Sequence, residues 1–168
     1  MKTYFTKISR LILCAFIVIA AVSCSKDSSV EDDVEQLQIQ SMEEEILQLV
    51  NSHRESLGYN PLRFNDLANT LAYEHTTYMI SQNDISHDDF DDRADRLFDD
   101  ENARGVGENV AYGQQSAQAV MTAWLNSPGH RRNIEGDFTH IGIAVIRNAN
   151  GVYYFTQLFL KKPVESGV

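Results

Sequence analysis

Apolar residues recur at helical spacing through the middle of the chain. The first predicted helix begins at Ser41, which forms a capping-box pattern with Glu44, and it ends at Gly58. A second helix is predicted to begin at Asn65 or Asp66, because the apolar residues that follow share one face. Two further helices are predicted from apolar spacing, at Phe90, Ala94 and Leu97 and then at Ala117, Val120, Met121 and Trp124.

The pattern changes from helical to strand-like toward the C-terminus. Residues 140–146 and 152–160 are rich in β-branched and aromatic side chains, and Asn150-Gly151 between them is a hairpin-turn signal. Residues 105–113 contain several glycines and are predicted to be extended. Helices followed by an antiparallel hairpin predict an α+β fold with a layered architecture.

The first 23 residues have the pattern of a secretory signal peptide. Their only charges are Lys2, Lys7 and Arg10, and an apolar run over residues 11–22 follows. This run is shorter than the roughly 20 residues that a spanning helix requires. It ends in Ala-Val-Ser-Cys, which resembles the lipobox of bacterial lipoproteins with alanine in place of the usual leucine. We therefore expect Cys24 to be lipidated, and the alternative is an ordinary signal peptide with a cysteine there by chance.

The expected lipid anchor divides the chain into four segments. Residues 1–23 are the predicted lipoprotein signal peptide, and residues 24–40 are a lipidated cysteine with an acidic flexible tether, because they are polar and show no clear period. Residues 41–162 are the predicted folded domain and residues 163–168 a tail. The anchor predicts a protein of the bacterial cell envelope, held on the outer membrane and facing the periplasm or the cell exterior.

The charge balance excludes one class of partner. The 168 residues include 14 Lys and Arg against 24 Asp and Glu, which gives a net charge of −10 at pH 7. Nucleic-acid binding is therefore not expected, because it requires clustered Lys and Arg. The carboxylates between residues 84 and 101 are interpreted as a solvated helix face. Asp89–Arg93 and Asp92–Arg96 are predicted there as pairs four residues apart.

Six short sequence motifs occur in an order that is typical of one protein family. They are Leu49-Val50-Asn51-Ser52-His53-Arg54, residues 58–62, Ser86-His87, GENVA at 107–111, WLNSPGHRRN at 124–133 and IGI at 141–143. They cover essentially all of residues 42–160. The chain therefore resembles the CAP superfamily of SCP domains, which includes cysteine-rich secretory, antigen-5-like and plant pathogenesis-related proteins, and the bacterial branch most closely. The resemblance implies a three-layer α-β-α sandwich.

The resemblance also implies a central cleft lined by two histidines and two glutamates. His87 matches the first histidine, Glu108 the glutamate of the GEN motif and His130 the second histidine. The other glutamate is missing, because Trp124 is followed by Leu-Asn-Ser. Two neutral imidazoles could hold Zn²⁺ with Glu108 or water completing the shell, or Glu108 and a histidine could exchange a proton as base and acid. The remaining interpretation is that these residues only fix loops by hydrogen bonding.

Three classes of function fit this reading. We favour a binding module whose His/Glu cleft holds a small lipid-like ligand, a glycan fragment or a partner protein. A zinc-dependent hydrolase or protease-like enzyme is weakened by the missing glutamate and by the lack of a GxSxG motif. The third class is a structural or adhesive envelope protein with a vestigial cleft. Zn²⁺ is the one cofactor considered, and the missing glutamate favours a protein that is not an enzyme.

The other histidines are assigned mainly to packing. His75 lies on the apolar face of the second helix and is predicted to be hydrogen-bonded and half-buried, while packing is the default for His53. His140 begins the hairpin and could approach the cleft. Trp124 is predicted to be a core residue, and Gly107 and Gly142 are expected where two backbones lie close together.

Overall fold

The computed structural model describes residues 28–163, and the predicted signal peptide and Cys24 lie outside that range. Within it, no helix is both long and apolar enough to cross a membrane. The described chain forms five helices and four strands. In chain order they are α1 Ser28–Ser56, β1 Arg63–Phe64, α2 Asp66–Gln82, α3 Phe90–Glu101, β2 Val106–Tyr112, α4 Ala117–Asn126, α5 Pro128–Ile134, β3 His140–Arg147 and β4 Tyr153–Leu160.

The strands form one sheet in the order β1-β3-β4-β2. The predicted hairpin is confirmed, because β3 and β4 pair antiparallel with His140 opposite Leu160 and Arg147 opposite Tyr153. β2 pairs antiparallel with the other side of β4, and the two-residue β1 pairs parallel with β3. The segment predicted to be extended is therefore one edge strand of the sheet.

Helices cover both faces of this sheet. The face toward α1, α4 and α5 carries the larger apolar cluster, which includes Ile46, Val50, Met121, Trp124, Ile141, Ile143, Phe155 and Phe159. The opposite face packs on α2 and α3 through Ala68, Leu71, Leu97, Ala144, Leu158 and Leu160. Trp124 is 1% exposed and is a core residue, as predicted. The α+β class and the three-layer α-β-α sandwich are both confirmed.

Gly142 allows α2 to lie directly on β3. A Cβ at this position would lie 2.1 Å from the carbonyl carbon of Ala68 and 2.2 Å from its oxygen. The start of α2 is fixed at the same place, because the side chain of Asn65 accepts a hydrogen bond from Ala68 N at 2.8 Å. The predicted close approach of two backbones at Gly142 is confirmed, and α2 is held tightly against the sheet. The same prediction is wrong at Gly107, where a Cβ would meet side-chain atoms of Asn133 and Phe138 at 3.1 Å.

α1 begins at Ser28, so its predicted start at Ser41 is wrong. Residues 28–40, predicted to belong to a flexible tether, form the first part of this helix. They contain two glutamates, three glutamines and one leucine, which favour helix without needing an apolar face to bury. Val34 and Leu37 are exposed, and Ile39 packs against the core. Helical propensity therefore extends α1 to residues before Ser41, where the apolar residues no longer recur at the spacing of a buried helix face.

α5 differs from the sequence prediction. The pattern Ser127-Pro128-Gly129 predicts the end of α4 and no further helix, and α4 does end at Asn126. Pro128, however, occupies the start of a new helix, where the missing N–H of proline has no effect on the hydrogen bonding. This short helix carries His130.

Side chains complete the hydrogen bonding of β3 where β1 stops. The N–H of Ile143 donates to Asn69 Oδ1 at 3.0 Å, and the N–H of Val145 donates to Glu43 Oε1 at 2.9 Å. Burial raises the pKa of Glu43 to about 7, although the Val145 hydrogen bond acts in the opposite direction. Thus α2 and α1 each provide an acceptor for a backbone donor that the short β1 does not reach.

Candidate functional site

Glu108 lies on β2 with its carboxylate buried against α3. It is 6% exposed, and Arg93 of α3 is 8% exposed. Arg93 Nε donates to Glu108 Oε2 at 2.8 Å, and Arg93 Nη2 donates to Oε1 at 2.9 Å. This two-pronged, charge-assisted contact fixes the plane of the carboxylate. Arg93 also donates to the carbonyl oxygen of Asp88 at 2.7 Å, which ties α3 to the loop before it.

His87 is oriented by the same carboxylate. Its Nδ1 lies 2.8 Å from Glu108 Oε1, and because an ionised carboxylate only accepts, Nδ1–H is assigned as the donor. In the neutral imidazole the lone pair is then on Nε2, on the side of the ring away from Glu108. The side chain of His87 is 53% exposed, whereas that of Glu108 is 2% exposed. A buried ion pair therefore holds an exposed imidazole in a defined orientation.

His75 of α2 lies beside the same carboxylate and is hydrogen-bonded to the backbone next to His87. Its Nε2 donates to the carbonyl oxygen of Ser86 at 2.8 Å and lies 3.8 Å from Glu108 Oε1. Burial lowers the pKa of His75, and the nearby Glu108 offsets only part of that effect. At 3% exposure it is more buried than predicted, and the prediction of a hydrogen-bonded packing histidine is confirmed. His75 thus fixes the backbone directly before His87.

His130 approaches from the other face of the sheet. Successive residues of a strand point to opposite faces, so Asn109 points away from the Glu108 side chain and toward α5. Asn109 Nδ2 donates to the carbonyl oxygen of His130 at 3.1 Å, and Asn133 Nδ2 donates to that of Glu108 at 2.9 Å. Burial, followed by the nearby His87, lowers the pKa of His130. The backbone of His130 is thus held against β2 on the α5 side of the sheet, while the Glu108 side chain lies on the α3 side.

This arrangement does not fit a zinc site in which His87, Glu108 and His130 are all ligands. Within residues 28–163, no group of three or more His, Cys, Asp and Glu side chains is placed to hold a metal ion. Both oxygens of Glu108 are already engaged by Arg93, and a guanidinium so close to the carboxylate opposes the approach of a dication. Glu108 is therefore not available as a zinc ligand in this arrangement.

The surface beside His87 is an acidic depression. It is bordered by His87, Asp89, Phe90, Asp91 and Asp92. The two largest pockets described, of about 550 and 580 Å³, lie elsewhere, beside the start of β3. His140 lines the second of these pockets, and its Nδ1 lies 2.9 Å from Thr139 Oγ1. It does not border the depression beside His87, so the expected approach of His140 to the cleft is not found.

Sequence reasoning missed Arg93. The predicted pairs Asp89–Arg93 and Asp92–Arg96 are wrong, because Arg93 turns inward to Glu108 and Arg96 contacts Glu74 at 3.3 Å. One signal was available in the sequence. Arg93 lies three residues after Phe90 and four before Leu97, which places an arginine on the apolar stripe of α3. A lone arginine on such a stripe indicates a buried carboxylate partner.

The fold and the residues at the edge of β2 are those expected of an SCP-type domain. The family model for the cysteine-rich secretory protein family, CAP, matches residues 47–159, and the chain belongs to that family.

Relatives with this domain occur in several bacteria. The chain is 30% identical over 130 residues to the uncharacterized protein YkwD of Bacillus subtilis, with 74% of this chain and 49% of that protein covered. The structure of an extracellular protein containing a SCP domain from Bacillus anthracis is similar, with a TM-score of 0.67, 28% identity and coverage of 78% and 43%. An outer surface protein of Borrelia burgdorferi shares the fold at a TM-score of 0.63 and 22% identity, with coverage of 80% and 96%. The chain thus spans about half the length of the curated relative YkwD.

Proposed function

We propose that the protein is a binding module of the bacterial envelope and that the exposed imidazole of His87 contacts its ligand. The observation that carries this proposal is the 2.8 Å contact between His87 Nδ1 and a Glu108 carboxylate already fixed by Arg93. The ring is therefore oriented before a ligand arrives. Binding to a pre-oriented group loses less side-chain entropy than binding to a free one.

The surroundings of His87 favour a polar, hydroxyl-rich ligand such as a glycan. The carboxylates of Asp89, Asp91 and Asp92 border the same depression and accept hydrogen bonds from hydroxyl groups. Phe90 adds an apolar patch on which the carbon-bound face of a sugar can rest. A lipid-like ligand gains no support, because it requires a deep apolar cavity and this depression is lined mainly by carboxylates.

The same pair of residues favours one alternative function. A carboxylate that fixes the Nδ1–H tautomer of a histidine leaves Nε2 as a base, which is how general-base catalysis is organised. The alternative is therefore a hydrolase in which His87 takes a proton from an attacking water. Within the described residues, no serine, threonine or cysteine side chain is hydrogen-bonded to His87, so this alternative requires water as the nucleophile.

Glycan binding is tested with the labelled full chain on an array of bacterial envelope polysaccharides and their fragments. We expect selective binding, and His87→Gln is expected to weaken it about tenfold, the equivalent of losing one well-placed hydrogen bond. His53→Gln is the matched control, because His53 contacts Glu135 at 2.9 Å in another part of the domain.

Two results would argue against this function. Either the wild-type chain binds no glycan on the array, or His87→Gln and wild type bind with equal affinity while both melt at the same temperature. If binding fails and His87→Gln abolishes hydrolysis of an array glycan, the hydrolase becomes the better interpretation.

Envelope anchoring through Cys24 is the second part of the proposal. The lipobox-like sequence supports it, and the similar Bacillus anthracis protein is described as extracellular. Acyl chains contribute about 0.8 kcal/mol for each buried CH₂, so two or more chains hold a protein firmly on a membrane. Cys24→Ser should therefore move the protein from the membrane fraction to the soluble fraction and abolish incorporation of a labelled fatty acid. Continued labelling of the variant would show that the lipid is attached elsewhere.

A further inference from the structure

A buried arginine lies at the opposite end of α5 from His130. Arg54, in the last turn of α1, is 2% exposed. Its Nε donates to the carbonyl oxygen of Asn60 at 2.9 Å, its Nη1 to those of Ile134 and Gly136 at 2.7 and 2.8 Å, and its Nη2 to that of Phe138 at 3.3 Å. A guanidinium has five N–H groups, so one N–H on Nη2 has no acceptor within residues 28–163.

These contacts satisfy hydrogen bonds but leave the charge of Arg54 uncompensated. All four acceptors are neutral carbonyl groups, and no carboxylate lies within ion-pair distance among the described residues. Burial lowers the pKa of Arg54, although the more distant Asp137 and Tyr59 act in the opposite direction. A buried cation without a counter-ion is destabilising, and a bound anion removes that penalty.

Arg54 forms part of the wall of a pocket of about 550 Å³. Arg63 lies at the same pocket, is exposed, and has no ion-pair partner in the described part of the chain. Tyr59 also lines the pocket, and the Arg54 guanidinium lies 5.8 Å from the centre of its ring. The pocket therefore combines a fixed, buried cation with a second, exposed cation.

The acidic groups at this pocket are already engaged. Glu135 Oε1 accepts from His53 Nε2 at 2.9 Å, and Asp137 forms an ion pair with Lys161. The Asp137 side chain is 82% exposed, so water and salt screen its charge. Arg54 and Arg63 are the two cations that line the pocket.

We propose that this pocket binds a small oxyanion, a carboxylate or a phosphate group, between Arg54 and Arg63. The free N–H of Arg54 Nη2 donates to one ligand oxygen, and Arg63 approaches from the rim to donate to another. Arginine suits this role because its planar fork matches the oxygens of carboxylates and phosphates. This pocket shares no lining residue with the depression beside His87.

Titration of the full chain with sodium phosphate or sodium acetate tests this site, at an ionic strength held constant with sodium chloride. The probe is the nitrogen-15 resonance of Arg54 Nε, which reports on this guanidinium alone. We expect a saturable shift in the millimolar range with at least one of the two anions. Arg63→Gln should weaken the affinity at least fivefold, a loss of about 1 kcal/mol.

Arg132→Gln is the matched control, because Arg132 is an exposed arginine on α5 that does not line the pocket. It should leave the affinity unchanged. Saturation by acetate alone identifies a carboxylate ligand, saturation by phosphate alone identifies a phosphate ligand, and saturation by both supports a general oxyanion site. A linear shift equal to that of chloride would overturn the proposal, as would an unchanged affinity in Arg63→Gln. Arg54 itself is not replaced, since its four backbone contacts hold the loop between α5 and β3.

Discussion

Replacing Arg93 by methionine is expected to destabilise the protein by about 3–5 kcal/mol at pH 7, because it leaves the Glu108 charge buried without its partner. Methionine keeps much of the side-chain volume, so the loss comes mainly from the charge. Urea unfolding followed by circular dichroism measures the change in the free energy of unfolding. The nitrogen-15 spectrum of His87 should change as well, since the carboxylate that orients its ring is no longer fixed.

Two further variants separate this effect from a general sensitivity of α3. Arg96→Met removes only the exposed contact with Glu74, and a change of at most about 0.5 kcal/mol is expected. The double variant Arg93→Met with Glu108→Gln removes the buried charge and should recover most of the lost stability. Equal losses in Arg93→Met and Arg96→Met would contradict the assignment of a buried ion pair.

Replacing Glu43 by glutamine is expected to stabilise the protein at pH 8 and to have almost no effect near pH 4. The pKa of Glu43 is raised from 4.5 to about 7 in the folded state. Since this folded-state pKa lies above the unfolded value, the folded protein binds the proton more tightly, and stability falls as the pH rises from about 4.5 to 7. Glutamine carries no charge at any pH, and its Oε1 can still accept from Val145 N–H.

The expected gain is about 1–2 kcal/mol at pH 8, less than the full shift implies because the side chain is partly accessible to water. Thermal unfolding at a series of pH values measures it. Glu45→Gln is the control, because Glu45 is an exposed neighbour on α1 and should change the melting temperature little. A difference between Glu43→Gln and wild type that is constant from pH 4 to pH 8 would show that Glu43 is not desolvated.

The sequence predicts the fold well where burial imposes a period. The β3–β4 hairpin, the start of α2 near Asn65 and the close approach at Gly142 all leave a local signal, and each is found in the structure. The first part of α1 and the whole of α5 leave a weaker one. Residues 28–40 are helical although most of them are exposed, and Pro128 starts a helix as readily as it ends one.

Only part of the candidate site can be predicted from the sequence. Family resemblance brings His87 and Glu108 together correctly, but it does not show that the strand places the Glu108 side chain and α5, which carries His130, on opposite faces. Arg93 was assigned to surface pairs because Asp89 lies four residues before it. In the structure Arg93 binds the buried carboxylate of Glu108 instead of Asp89. Glu108 is distant in sequence and becomes a neighbour of Arg93 only after the sheet forms.

The capped edge of β3 has a consequence for copies of the protein that stand side by side. An open strand edge with free N–H groups is a template on which another chain can add a strand, and this is a common route to aggregation. Here the N–H groups of Ile143 and Val145 are already occupied by Asn69 and Glu43. The sheet therefore does not offer these two donors to a neighbour, and copies of the protein that come close together are not joined strand to strand through them.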